Sequence, residues 1–275
     1  MALSLEAPMR RRSNTQPARF REPGAPTAVV GHMGAPSLAP ANTAASFLAA
    51  HAAGADGIEL DLIAVEPGRV IVAHDLGDVD RRPDALMLET LEHVLAEPPL
   101  SGMPVLLDVK SLGAARSLAA ALVGARLTPR AIISTTDPQV LRGLALSVPR
   151  ATRSLTYPRS RRDPQRHALS RKLADLRRPV VRAALPLLVR RAVQRHGLHA
   201  ITVEHRLVTP ALRERTSKLG VELIVWTVDD PQRARELLDL DVDAIITNDP
   251  VLVLQLRDEH AARVAEIRRT ATGGW

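Results

Sequence analysis

The chain has 275 residues, enough for one large α/β domain or two ordinary ones, and 45% of them are hydrophobic, enough for a sizeable core. It contains no cysteine, which excludes a disulfide framework and any thiolate nucleophile or thiolate metal site. Basic residues outnumber acidic ones 37 to 30, a net charge of +7, which favours anionic partners such as phosphates or acidic lipid surfaces.

Residues 1–26 open with "MALSLEAPMRRRSNTQPARFREP", which lacks the apolar core of a secretory signal and reads as a disordered basic arm. No apolar run approaches the ~20 residues of a membrane span. The expectation is a cytoplasmic protein that can meet a membrane only at its surface.

From residue 27 to 270, short β-branched runs alternate with Ala/Leu-rich stretches at helical spacing. The strand candidates are 27–32, 57–63, 104–110, 131–134, 151–156, 200–204, 222–228 and 243–247. Several of the intervening helical patterns open on Asn, Thr or Asp, as N-caps should. Eight strands alternating with helices predict a (β/α)8 TIM barrel in a single domain. A doubly wound sheet is the alternative, but no Gly-rich dinucleotide fingerprint follows the first strand. "RVIVAHD" (69–75) is an extra extended piece that pairs back on the second strand across "EPG".

The stretch 158–196 breaks the rhythm. Between Arg159 and Arg195 it carries twelve Lys or Arg against two Asp, a basic helical insertion suited to an anionic membrane surface or simply to solvent. Pro179 and Pro186 are expected to interrupt its helix.

Reactive side chains cluster at strand ends. Residues two apart on a strand share a face, so Glu59 and Asp61 in "ELD" project together, as do Asp108 and Lys110 in "DVK". Two such carboxylates repel unless a cation or proton lies between them. His32 ends the first strand, and His74 and Asp75 end the extra piece. Three carboxylates at one barrel mouth make an all-oxygen site for a hard cation, Mg2+ or Ca2+. Two histidines would flank it as acid and base. Glu204 also faces the mouth. Tyr157 could close over a head group as a minor alternative; His196, His199 and His205 read first as ordinary residues flanking the sixth strand, with substrate contact the alternative, and His51 reads as surface. Asn248 and Asp249 read as helix caps.

The order of these blocks resembles the glycerophosphodiester phosphodiesterase family of metal-dependent barrel enzymes, from Val29 to about Pro250. "GHMGAPSLAPANTAASFLAAHAAGADGIELDL", "VIVAHD", "LETLEHVL", "LLDVKS", "VWTVDD" and "DVDAIITNDP" are similar to that family's successive motifs. The resemblance implies that His32 and His74 are the catalytic acid/base pair and that Glu59, Asp61 and Asp108 hold one divalent cation. It implies further that Lys110 contacts the phosphate, that Trp226 lines the substrate pocket, and that a glycerol 2-hydroxyl attacks to give a cyclic phosphate. Three positions depart from the family pattern: Met33 replaces an arginine, Ala41 a glutamate, and Asp108 a glutamate one methylene longer, which still permits ligation but moves the oxygen. Met33 and the Asp-x-Lys tripeptide are similar to the sphingomyelinase D enzymes, which cut lipid head groups. The expected substrate is therefore a small glycerophosphodiester or a lysophospholipid. The alternatives are phospholipase D-like head-group cleavage, or a barrel that only binds phosphodiesters or lipid. No nucleic-acid or protein partner is expected.

Overall fold

In a computed structural model describing residues 17–66, 68–81, 85–124, 127–158 and 168–272, all eight predicted strands form and close on themselves. They are β1 (Ala28–Gly31), β2 (Gly57–Glu66), β4 (Val105–Val109), β5 (Ala131–Thr135), β6 (Thr152–Tyr157), β7 (Ala200–Glu204), β8 (Glu222–Trp226) and β9 (Ala244–Thr247). Each pairs in parallel with its neighbours, and β1 joins both β2 and β9. That closure makes a (β/α)8 barrel, with every parallel step carried over a helix. The extra piece is β3 (Arg69–Val72), antiparallel to β2, as the sequence predicts.

Strand alternation sorts the core into two shells. Val30, Leu106, Ile132, Ala200, Ile224 and Ile246 pack inside the barrel. Their neighbours of opposite parity, such as Val29, Leu107, Ile133, Leu155, Val203 and Val225, face the helices. With so few aromatics, the floor of the barrel is filled from outside the strands. Ala18 and Phe20 are buried, and the Phe20 ring lies where a Cβ on Gly57 would stand, 2.3 Å from its Cε1. Part of the stretch expected as a free arm is thus packed, from at least ten residues before β1. Residues 1–16 lie outside the described residues.

The helices are α1 (Ala44–Ala52), α2 (Leu76–Arg81), α3 (Leu88–Ala96), α4 (Leu112–Gly124), α5 (Pro138–Ser147), α6 (Ala168–His196), α7 (Pro210–Leu219), α8 (Pro231–Asp239) and α9 (Pro250–Thr272). Four of them start on an Asp-Pro or Thr-Pro pair. Asp137, Thr209, Asp230 and Asp249 each accept from a backbone N–H in the first turn, while the proline supplies a preset φ and no orphan donor. The same pairs set where each connection leaves the barrel mouth.

The expected break in the basic insertion does not occur: α6 runs through both Pro179 and Pro186. Pro186 removes only the bond to the carbonyl of Arg182, an exposed position where water can take it. Residues 159–167, the first part of the insertion, lie outside the described residues.

Candidate active site

Because β2 and β4 are paired in register, with Asp61 beside Asp108, the two strand-end tripeptides converge. Oxygens of Glu59, Asp61 and Asp108 lie within 4.8 Å of one another. Lys110 Nζ sits 2.7 Å from Asp61 Oδ1 and 2.5 Å from Asp108 Oδ2. The expected carboxylate trio and its lysine are therefore one cluster at the mouth.

Its electrostatics follow from crowding. Burial, then the charges of Asp61 and Asp108, push the Glu59 carboxyl well above the usual range. Burial works the same way on Asp61, but Lys110, His74 and His32 outweigh it and hold that carboxyl below its ordinary value. Burial opposes charge on Lys110, yet Asp108 and Asp61 keep its ammonium above the ordinary lysine range. Asp108 Oδ1 is buried with no hydrogen-bond partner among the described residues. An orphaned carboxylate oxygen beside a carboxyl that resists ionisation is the environment a divalent cation would relieve.

The loop after β1 is built around this cluster. Met33 adopts a left-handed φ of +49°, which turns its N–H onto Glu59 Oε2 at 3.0 Å. Gly34 follows at φ +90°, and a Cβ there would stand 2.0 Å from Ser46 Oγ, so only glycine fits. The Ser46 hydroxyl donates to Met33 O at 2.5 Å. Asn42, also left-handed at φ +57°, donates through Nδ2 to Asp61 Oδ2 at 3.1 Å. Asn42 was not singled out by its sequence, although its place in "PANT" marked the loop.

His32 projects from the end of β1, its N–H bonded to Thr247 O at 2.8 Å. Its Nε2 is 3.9 Å from Glu59 Oε2, and its Nδ1 is 2.7 Å from Asn248 Oδ1. Asn248, expected to cap a helix, instead bridges His32 and Asp229; Asp249 alone caps α9. Asp229, also not foreseen, accepts from the backbone and side-chain nitrogens of Asn248 at 2.9 and 2.6 Å and from Thr247 Oγ1 at 3.1 Å. A carboxylate only accepts, so Asn248 must turn its NH2 toward Asp229 and its oxygen toward His32. Nδ1 of the neutral imidazole then carries the hydrogen, and Nε2 presents a lone pair to the carboxylate cluster.

His74 is half-exposed just beyond β3, with Nδ1 3.6 Å from Asp75 Oδ2. Trp226 ends β8 and packs on the inner core. Glu204 shares the inward face but is ion-paired with Arg206.

Strand parity and direction place the remaining candidates. Thr156 faces inward, so Tyr157 faces out and is buried among Leu185, Val189 and Leu207 rather than over a head group. His196 and His199 precede β7 and so stand at the barrel end away from the mouth. His205 follows β7, where burial lowers its imidazole below the ordinary value.

Several known proteins are similar to this chain. A glycerophosphodiester phosphodiesterase of Caldanaerobacter subterraneus subsp. tengcongensis is 26% identical over 262 residues, covering 84% of this chain and 97% of the relative. A solved structure from Silicibacter pomeroyi superposes with a TM-score of 0.70 at 20% identity, covering 88% of this chain and 96% of the other. An Oleispira antarctica phosphodiesterase, solved with the product sn-glycerol-3-phosphate, superposes with a TM-score of 0.62 at 16% identity, covering 84% and 97%. The model of the glycerophosphoryl diester phosphodiesterase family matches residues 32–87 and 95–252, which include His32, His74 and the whole carboxylate cluster. The chain belongs to the glycerophosphoryl diester phosphodiesterase family.

Proposed function

We propose that this protein hydrolyses glycerophosphodiesters to glycerol phosphate and an alcohol, with Glu59, Asp61 and Asp108 holding one divalent cation. The observation that supports this most is the convergence of those three carboxylates within 4.8 Å, next to a histidine whose free nitrogen faces them. The all-oxygen donor set suits Mg2+ or Ca2+. When bound, such an ion would neutralise charge on the phosphate oxygens.

The protein groups then divide the proton work. Lys110, held charged between two aspartates, is placed to bind a phosphate oxygen once the cation takes over part of their charge. His32 Nε2 accepts the proton of the substrate's 2-hydroxyl as that oxygen forms a bond to phosphorus. The bond from phosphorus to the leaving oxygen breaks, and His74 gives that oxygen its proton. The product is a five-membered cyclic phosphate. Water then opens the ring, with the same two histidines in exchanged roles. Tethering the nucleophile gives this route a large proximity advantage over direct attack by water. Trp226 would form part of the wall on which the alcohol rests.

Phosphorus NMR of early time points tests the scheme. A cyclic phosphate should appear and then decay, and a 2-deoxy analogue should react slower by orders of magnitude. Equal rates for the analogue would make water the direct nucleophile. Accumulation of the cyclic species would instead mark a head-group-releasing cyclase of the sphingomyelinase D kind. No turnover of any diester with metal present would leave a binding barrel.

A further inference from the structure

Helix α6 is 29 residues long, about 43 Å, while α5 and α7 on either side have 10 each. Leu185, Val189 and Ala192, in its second half, are the part buried against the barrel. Arg178, Arg182 and Pro186 border a groove with Thr209, the N-cap of α7. Since α7 begins at the mouth end of β7, the turn around residue 182 stands level with the mouth. The first half of α6 therefore runs past the rim on the catalytic side.

The outer face of this helix is apolar and basic together. Val180 and Leu187 are 72% and 50% exposed and lie seven residues apart, on one side of the helix. Ala183 lies between them, Arg190 and Arg191 continue the same face, and Leu188 is exposed beside it. From Arg177 to His196 the helix carries six arginines and no acid. The charge is local rather than a bias of composition. Residues 159–195 hold twelve Lys or Arg against two Asp, leaving 25 basic against 28 acidic residues elsewhere.

We propose that this face of α6 docks on an anionic lipid bilayer. The arginines meet lipid phosphates, and Val180, Leu187 and Leu188 enter the boundary between head groups and acyl chains. Single exposed aliphatics are ordinary, but here three cluster among arginines on one helix, the pairing that an interfacial helix uses. A nucleic-acid backbone would match the charge but give the aliphatic ridge nothing to bury. Docking would hold the mouth beside a surface that carries phosphodiesters. It concerns binding alone and stands or falls apart from the hydrolysis scheme.

The test is sedimentation of the full chain with phosphatidylcholine vesicles, with and without phosphatidylglycerol. Binding should require the anionic lipid and weaken about tenfold on moving from low to physiological salt, as screening lengths shorten. The double change Arg190→Glu, Arg191→Glu should lower vesicle affinity at least about tenfold, and Leu187→Asp by a similar factor. All three positions are exposed, and unchanged thermal melts would show the fold intact. Replacing Arg10, Arg11 and Arg12 by glutamate should leave binding in place. Equal binding to neutral vesicles, or wild-type binding by Leu187→Asp, would each overturn the proposal. So would loss of binding confined to the Arg10–Arg12 variant.

Discussion

His32 Nδ1 lies 2.7 Å from Asn248 Oδ1, across the seam where β1 meets β9, and that contact decides which ring nitrogen is available for chemistry. Asp229 fixes the orientation of the Asn248 amide; the amide fixes the tautomer. Removing the middle member should leave substrate binding nearly unchanged while misdirecting the base. Asn248→Ala should lower kcat about 10–100-fold, the scale seen when a histidine loses its orienting partner. KM should move little. Nitrogen chemical shifts of the His32 ring should report a mixture of tautomers in the variant and one tautomer in the parent. A large rise in KM with kcat intact would assign Asn248 to substrate binding instead.

Cation binding should be visible without any assay of turnover. An ion that binds only the folded chain at about a hundred times its Kd stabilises it by about 2.7 kcal/mol. For a domain of this size that is roughly 5–10 °C in Tm. Mg2+ or Ca2+ should therefore raise the melting temperature, chelator should reverse the rise, and Asp61→Asn should abolish it. Hydrolysis that continues at full rate in excess chelator would rule out the cation's part in the reaction.

Glu222 gives the fold a pH dependence of its own. It lies at the floor of the barrel, where it accepts from Arg21 N–H at 3.0 Å. Burial, then the neighbouring Asp243, overcome the backbone donors Arg21 and Phe20 and push its carboxyl up to about 7. Between about pH 4.5 and 7 the folded chain holds a proton that the unfolded chain releases, so stability falls as pH rises through that window. The upper limit of the loss is roughly 3 kcal/mol. Glu222→Gln keeps an acceptor for Arg21 and cannot ionise. Its melting temperature should match the parent at pH 4.5 and exceed it at pH 8. A constant difference across that range would mean that Glu222 does not titrate as its surroundings imply.

Met33 contributes to the site through its backbone, which arginine can also supply. Met33→Arg would preserve the N–H donation to Glu59 and add a cation at the mouth. A charge-assisted contact to phosphate is typically worth about 1.5–3 kcal/mol, so turnover of small soluble glycerophosphodiesters should rise about tenfold or more. Lower activity would show methionine to be suited to a different, more apolar substrate.

The site was legible where chemistry and strand period coincide. "ELD" and "DVK" each carry two charged side chains two residues apart, and the β2–β4 register brings them together. What joins His32 to Asn248 has no local signal, since the pair is 216 residues apart in the chain. Asp229 and Asp230 look equivalent in sequence. Only backbone direction makes the second cap α8 and the first turn back to Asn248. Tyr157 shows how one residue of parity inverts a reading: Thr156 faces the interior and its neighbour the helices. The prolines of α6 misled for a different reason, because a helix lying on the outside of a barrel can leave carbonyls to water.

The segment around Phe20 has a consequence for how the molecule is made. Arg21 Nη2 bonds Asp241 Oδ1 at 2.6 Å, and Arg21 N–H bonds Glu222, so this segment waits for groups more than 200 positions later. The ribosome releases it long before its partners exist. The barrel cannot be floored, nor β1 flanked on its second side by β9, until β8 and β9 have been synthesised. During that interval the half-built sheet has open edges, which are prone to pair with other chains. A fusion joined at residue 1 should leave this last step intact, whereas a start placed after Glu22 should yield chains that collapse but fail to close.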